Sequence, residues 1–199
     1  MPLTITFGDE KLPGARHCGD CQLCCRLLPV KEFAKPVNTR CQHQKFGKGC
    51  GIYARRPNSC RYWSCRWLVG DDTADQARPD RSHVVIDLVP DFITVNPNDG
   101  SEPTTVPVVQ IWVDPKYPDA HRAPAIRAYM ARRGDDGVAA LVRWDNKRGL
   151  IIFPPAMCGD DQWHEFENAM VDHEHTLAET IAGIERSSRV KLGGKSDAS

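Results

Sequence analysis

The sequence predicts an α+β fold in which a small cysteine-rich region packs with an antiparallel sheet covered by two helices. Three observations lead there. Eight of the nine cysteines fall between Cys18 and Cys65, in a stretch with few aliphatic residues. From residue 82 onward, short β-branched runs alternate with turn residues. Towards the C-terminus, apolar residues recur at steps of three and four, the period of an amphipathic helix. At 199 residues and 41% hydrophobic content, the chain suits one domain or two small ones. The expected division is an N-terminal extension over 1–15, a cysteine region over 16–69, an α+β region over 70–185, and a disordered tail over 186–199 rich in Ser, Gly and Lys.

The core candidates of the cysteine region are Leu23, Leu27, Leu28, Val30, Phe33, Ile52, Tyr53, Trp63 and Trp67. So thin a core needs a staple. Beyond it, Ser82–Val89 reads as a buried strand, Phe92–Val95 as a second and Thr104–Val113 as a third; Pro107 marks the third as an edge or a bulge. A helix is expected to start near Pro118 or Pro124, to turn Ile126, Tyr129 and Met130 to one face, and to stop before Gly134. Val138–Trp144 and Leu150–Phe153 form a hairpin around the turn from Asp145 to Gly149. Asp160 and Asp161 cap a last helix whose stripe is Trp163, Phe166, Met170, His173, Leu177, Ile181 and Ile184. His173 falls on that stripe as a core histidine, whereas His164 and His175 fall off it and are solvated.

The staple is legible in the cysteines. Cys18, Cys21 and Cys24 stand at i, i+3 and i+6, so one tight loop with Gly19 and Asp20 in its turn can aim three sulfurs at a single centre. Cys25, Cys41, Cys50, Cys60 and Cys65 bring the total to eight thiolates, enough for a complete soft-ligand metal shell and more. A disulfide framework is the competing reading. Two features oppose it: Met1 to Gly14 has neither a basic nor an apolar signal-like segment, which points to a soluble cytoplasmic protein with reduced thiols, and adjacent Cys24 and Cys25 cannot pair without strain. No run approaches the ~18 apolar residues of a membrane span. Three cysteines at x2 spacing plus a remote fourth favour a 4Fe-4S cluster; zinc takes a pair from each of two knuckles, and two four-thiolate zinc sites would use all eight. The bacterial ferredoxin run ends x3-Cys-Pro, and this chain departs from it.

The pattern Cys18-Gly-Asp-Cys21-Gln-Leu-Cys24-Cys25 continues through Cys41-Gln-His43, the run Gly49-Cys50-Gly-Ile52-Tyr53-Ala-Arg-Arg56-Pro57-Asn-Ser-Cys60 and Trp63-Ser-Cys65-Arg-Trp67-Leu68. Over about residues 16 to 69 it resembles the zinc- or iron-chelating CxxCxxCC proteins, the YkgJ-type cysteine-cluster family of bacteria. That resemblance implies a metal site at these cysteines and leaves the biochemical role open. A related segment occurs in flagellin lysine N-methylase, but no methyl-donor signature is present here.

Charge is polarised along the chain. Residues 1–70 carry 12 Lys and Arg against 4 Asp and Glu, and residues 71–199 carry 14 against 22, so +8 and −8 cancel. Arg26, Arg55, Arg56, Arg61 and Arg66 can offset the negative charge of a thiolate centre. They can also form an ordinary solvated face, or grip phosphates with Trp63 and Trp67 as stacking platforms. Overall neutrality argues against nucleic acid. His17 and His43 are secondary ligand candidates; Cys158 reads as a free buried thiol, and Asp71-Asp72 and Asp135-Asp136 as surface turns. No P-loop, dinucleotide fingerprint, nucleophile elbow or H-E-x-x-H occurs. The expectation is a metal-binding accessory, sensing, storage or electron-transfer module with a protein partner. The alternative is a metal-dependent enzyme with its site between the two regions.

Overall fold

The computed structural model describes residues 16–95 and 102–169. The expected extension over 1–15, the tail over 186–199 and the stripe positions Met170, His173, Leu177, Ile181 and Ile184, with His175, lie outside the described residues.

The cysteine region is built from very short elements: α1 (Leu23–Leu27), β1 (Gln44–Lys45), β2 (Gly49–Cys50), α2 (Asn58–Tyr62) and α3 (Arg66–Val69), with 3-10 turns at Lys31–Phe33 and Tyr53–Arg55. Beyond it come α4 (Pro79–Ser82), β3 (Val84–Ile86), β4 (Asp91–Val95), β5 (Thr104–Val113), α5 (Pro124–Asp135), β6 (Ala139–Arg143), β7 (Arg148–Phe153), α6 (Pro155–Cys158) and β8 (His164–Ala169). Helices and a six-stranded sheet make the fold α+β.

The strand order is β3-β5-β6-β7-β8, and β4 shares with β3 one long edge of β5. The sheet is mixed, which corrects the antiparallel expectation: β5 and β6 run parallel, with Val108 opposite Ala139 and Trp112 opposite Arg143. The reason lies in the connection. A parallel neighbour requires a crossover, and α5 lies between these two strands in sequence. Pro107 pairs with Phe92 of β4, one residue before the ladder with β6 begins. At that point β5 is an edge, the place a residue without an N–H tolerates.

Alternation along β5 divides the core. Val109, Ile111 and Val113 face Ile126, Tyr129 and Met130 of α5, joined by Val84, Ile86, Ala140, Val142, Leu150 and Ile152. On the opposite face Val85 and Trp112 receive Leu23, Leu27 and Cys65 from the cysteine region, and Val108, Ala139 and Leu141 form a third cluster. Each large side chain so buried contributes about 1.5–3 kcal/mol. Among the described residues one long helix covers one face and the cysteine region covers part of the other; most of the expected second helix lies outside the described residues.

Two more expectations are corrected. Helix α5 runs through Gly134 to Asp135, because Gly134 is buried against Pro154, where a Cβ would stand 2.6 Å from the Pro154 Cβ. Trp163 and Phe166 do not start a helix: β8 pairs antiparallel with β7, with Phe166 opposite Ile151 and His164 opposite Phe153. The hairpin from β6 to β7 forms as expected, and Asp145 accepts hydrogen bonds from the backbone of Lys147 and Arg148 at 2.8 Å each.

The seam between the cysteine region and the sheet is polar as well as apolar. Trp63 donates from Nε1 to Asp87 at 2.8 Å, Asn38 donates to the Trp144 carbonyl at 2.7 Å, Arg26 pairs with Asp114, and Cys65 forms a backbone bridge with Asp87. No helix among the described residues is long and apolar enough to cross a membrane.

Candidate metal centre

All nine cysteines carry free thiols. The loop opens with a turn in which the Cys21 N–H reaches the Cys18 carbonyl at 2.8 Å; Gly19 sits at φ 53°, a left-handed conformation that favours glycine. Helix α1 follows at once. Leu23 and Leu27, one turn apart, anchor it on Val85 and Trp112. That anchoring fixes the rotation of the helix, and the two cysteines between the leucines diverge by about 100° as successive helical residues must.

Cys24 thereby joins Cys18, Cys21 and Cys65 around one cavity of ≈ 20 Å³, whose remaining wall is Trp67, Pro79 and Val85. Three thiols come from one loop and its helix; the fourth arrives from the residue that caps α3. Cys25 turns away. Its carbonyl accepts the Cys41 N–H at 3.1 Å, and the thiols of Cys41, Cys25, Cys24 and Cys60 all act on the ammonium of Lys35. Cys50 stands in β2 opposite Gln44 and is placed in neither group by these contacts. Among the described residues, no three of these sulfurs lie within 4.8 Å of one another.

Burial raises the thiol pKa of Cys18, Cys21 and Cys60, and pushes Cys65 up to about 12. The charge of Arg56 acts against that rise at Cys18. Cys24 and Cys25 are polarised against each other. The Cys24 thiol donates to Cys25, which holds Cys24 well above its ordinary value and brings Cys25 down to about 7, assisted by Lys35 and Arg56. A buried thiol ionises when a cation supplies the counter-charge that water would have given; a metal ion does this directly. The four-thiol wall is in that condition.

Lys35 is the member of this neighbourhood that sequence reasoning missed. It is buried, and its ammonium donates to the carbonyls of Leu28, Pro36 and Arg26. Of the five arginines expected to serve the thiols, Arg56 acts on Cys18 and Cys25, whereas Arg66 is engaged by Asp72 at 2.7 Å and Arg26 by Asp114. Asp72 is therefore an ion-pair partner, not a bare surface turn. Asp136, at the end of α5, pairs with Arg133 at 3.0 Å. Trp63 and Trp67 are not stacking platforms: both pack in the core, and their ring N–H groups are spent on Asp87 and the Gln76 carbonyl. His17 is exposed, and His43 packs its ring on Phe33 at 4.8 Å.

A second constellation lies at the far edge of the sheet. Cys158, expected to be a buried free thiol, is half-buried, and His164, expected to be solvated, lies 2.7 Å from the Asp160 carboxylate. The ligand atoms of Cys158, Asp160 and His164 all fall within 4.8 Å of one another. The spacing C-x-D-x3-H was visible in the sequence, but a turn into a strand, not a helix, is what closes it.

Comparison of the chain with family models, with curated proteins and with solved structures finds no match.

Proposed function

We propose that this chain is a metal-binding protein that holds a 4Fe-4S cluster through Cys18, Cys21, Cys24 and Cys65 and serves a protein partner as an accessory, sensing, storage or electron-transfer module. The observation that carries the reading is the convergence of three loop thiols and one remote thiol on a single cavity. Three corners from one loop and a fourth from a distant residue is a common way to hold a cubane. The resemblance to the zinc- or iron-chelating CxxCxxCC proteins supports a metal site at these cysteines and does not choose between the two metals. Bound there, the cluster would supply one-electron chemistry, while the chain supplies four thiolates, an apolar wall and the nearby charge of Arg56.

Zinc is the second reading, favoured by two observations. The cavity volume of ≈ 20 Å³ is small for a cubane, and Cys25, Cys41 and Cys60 lie outside its wall within electrostatic reach of Lys35, where a second site could draw on them. The metal-dependent enzyme is the weaker alternative. The cavity wall itself is thiols and apolar groups, and the Asp80 carboxylate stands against the Cys21 thiol as a group that could move a proton.

Protein purified without oxygen should be brown, absorb broadly near ~400 nm and contain iron and sulfide. Serine at Cys18, Cys21, Cys24 or Cys65 should each bleach it. A colourless protein with stoichiometric zinc would replace the first reading with the second, and retention of the chromophore in all four variants would move the site elsewhere.

A further inference from the structure

The turn between α6 and β8 brings together donors of three kinds. Gly159 and Asp161, at φ 74° and 56°, are both left-handed and coil the backbone tightly between Cys158 and His164. Asp160 divides its carboxylate: Oδ1 accepts the Gln162 N–H at 3.1 Å, and Oδ2 meets His164 Nε2 at 2.7 Å. The Cys158 sulfur completes a set whose members are mutually within 4.8 Å. Asp160 and His164 keep 48% and 40% of their side-chain surface exposed, so an ion can reach them from solvent. Phe166 packs its ring parallel to His164 at 6.4 Å and edge-on to Phe153, which stiffens the imidazole side of the site.

A surface His–Asp pair alone would be an ordinary ion pair worth little. The thiol changes its meaning. Imidazole, carboxylate and thiolate at one point form a mixed donor set of intermediate softness, suited to zinc and poorly suited to magnesium or calcium. Three protein donors leave tetrahedral zinc one position short, the condition of open rather than closed sites. The location is independent of the cysteine cluster, since β8 and β3 lie at opposite edges of the sheet.

We propose that Cys158, Asp160 and His164 form a second metal site, separate from the cysteine cluster, that takes zinc or a similar divalent ion and leaves one position to water or a small anion. The test uses the full chain, purified without oxygen, titrated with Co²⁺ and followed by absorption and metal analysis. Wild type should take up one Co²⁺ per chain more than Cys158→Ser or His164→Gln, with a sulfur-to-cobalt charge-transfer band that Zn²⁺ removes. Each variant should weaken that step by more than the ~10–100-fold typical of losing an outer partner. Cys18→Ser should leave it unchanged, so failure of the cysteine-cluster assignment and failure of this one give different results. Equal uptake and affinity in wild type and both variants would overturn the proposal, as would loss of the step in Cys18→Ser alone.

Discussion

Lys35 is a buried charge and Asp87 a half-buried one, and the surroundings meet their cost differently. Lys35 finds three carbonyl oxygens, and ionisation of Cys41, Cys25, Cys24 or Cys60 would favour its charge, yet burial still lowers its pKa below the ordinary ammonium value. Asp87 finds the Trp63 ring N–H at 2.8 Å and the Val89 N–H at 2.9 Å, both on Oδ1, yet burial still raises its pKa above the ordinary carboxylate value. Its sign follows from linkage. The folded state binds the Asp87 proton more tightly than the unfolded chain, so this residue favours folding most below about pH 4, and that contribution is lost as pH rises through the raised pKa. Asp87→Asn keeps the Oδ1 acceptor and removes the charge. Its melting temperature should equal or exceed wild type at pH 7 and converge with it near pH 4; a lower value at pH 7 would mean that the carboxylate, not its acceptor oxygen, holds Trp63. Residues of this kind were not legible beforehand. The cysteines were, because their spacing is local, whereas Lys35 meets its thiols, and Asp160 its histidine, only through turns of the folded chain.

Elements decide by pairing what periodicity leaves open. Trp163 and Phe166 are three residues apart, as a helix stripe requires, but β7 presents a free edge of apolar residues, and six ladder pairs with residues 164–169 outweigh a helical preference that nothing packs against. The third strand, the hairpin and α5 were legible because their patterns are confined to one segment. The parallel ladder of β5 and β6 was not, since strand direction depends on where α5 returns the chain. Helix α5 itself offers a test in which two effects compete. Replacing Gly134 by Ala should gain about 1 kcal/mol of helix propensity. The new Cβ would also stand 2.6 and 2.9 Å from the Cβ and Cγ of Pro154, a rigid ring that precedes α6. Overpacking of that sort costs about 1–3 kcal/mol. The clash wins because proline cannot swing aside, so Gly134→Ala should lower the urea midpoint. Stabilisation instead would show that α6 is loosely seated.

At the scale of the whole molecule, the two faces of the sheet are covered by unlike materials. One face lies under α5, twelve residues of continuous helix with Ile126, Tyr129 and Met130 buried on it. The other lies partly under α1 and α3, of five and four residues. Isolated helices shorter than about 12 residues do not hold together in water, so these two rely on packing, with Leu23, Leu27 and Trp67 in one apolar cluster with Val85 and Trp112. A metal held by four thiolates would add on the order of 10 kcal/mol to that packing. If metal is the staple, its removal by a chelator should free this cover while the sheet and α5 stay folded. Trypsin should then cut first at Arg55 and Arg61, leaving a resistant fragment that spans residues 84–153. The ties from Arg26 to Asp114 and from Asn38 to the Trp144 carbonyl work in the opposite direction, since they fasten the region to the sheet without any metal. The Asn38 hydrogen bond is worth about 1 kcal/mol, and the Arg26–Asp114 pair, whose carboxylate is buried, sets its attraction against desolvation, so neither equals what a bound metal would contribute. Equal protease resistance with and without metal would show that packing on Val85 and Trp112 suffices.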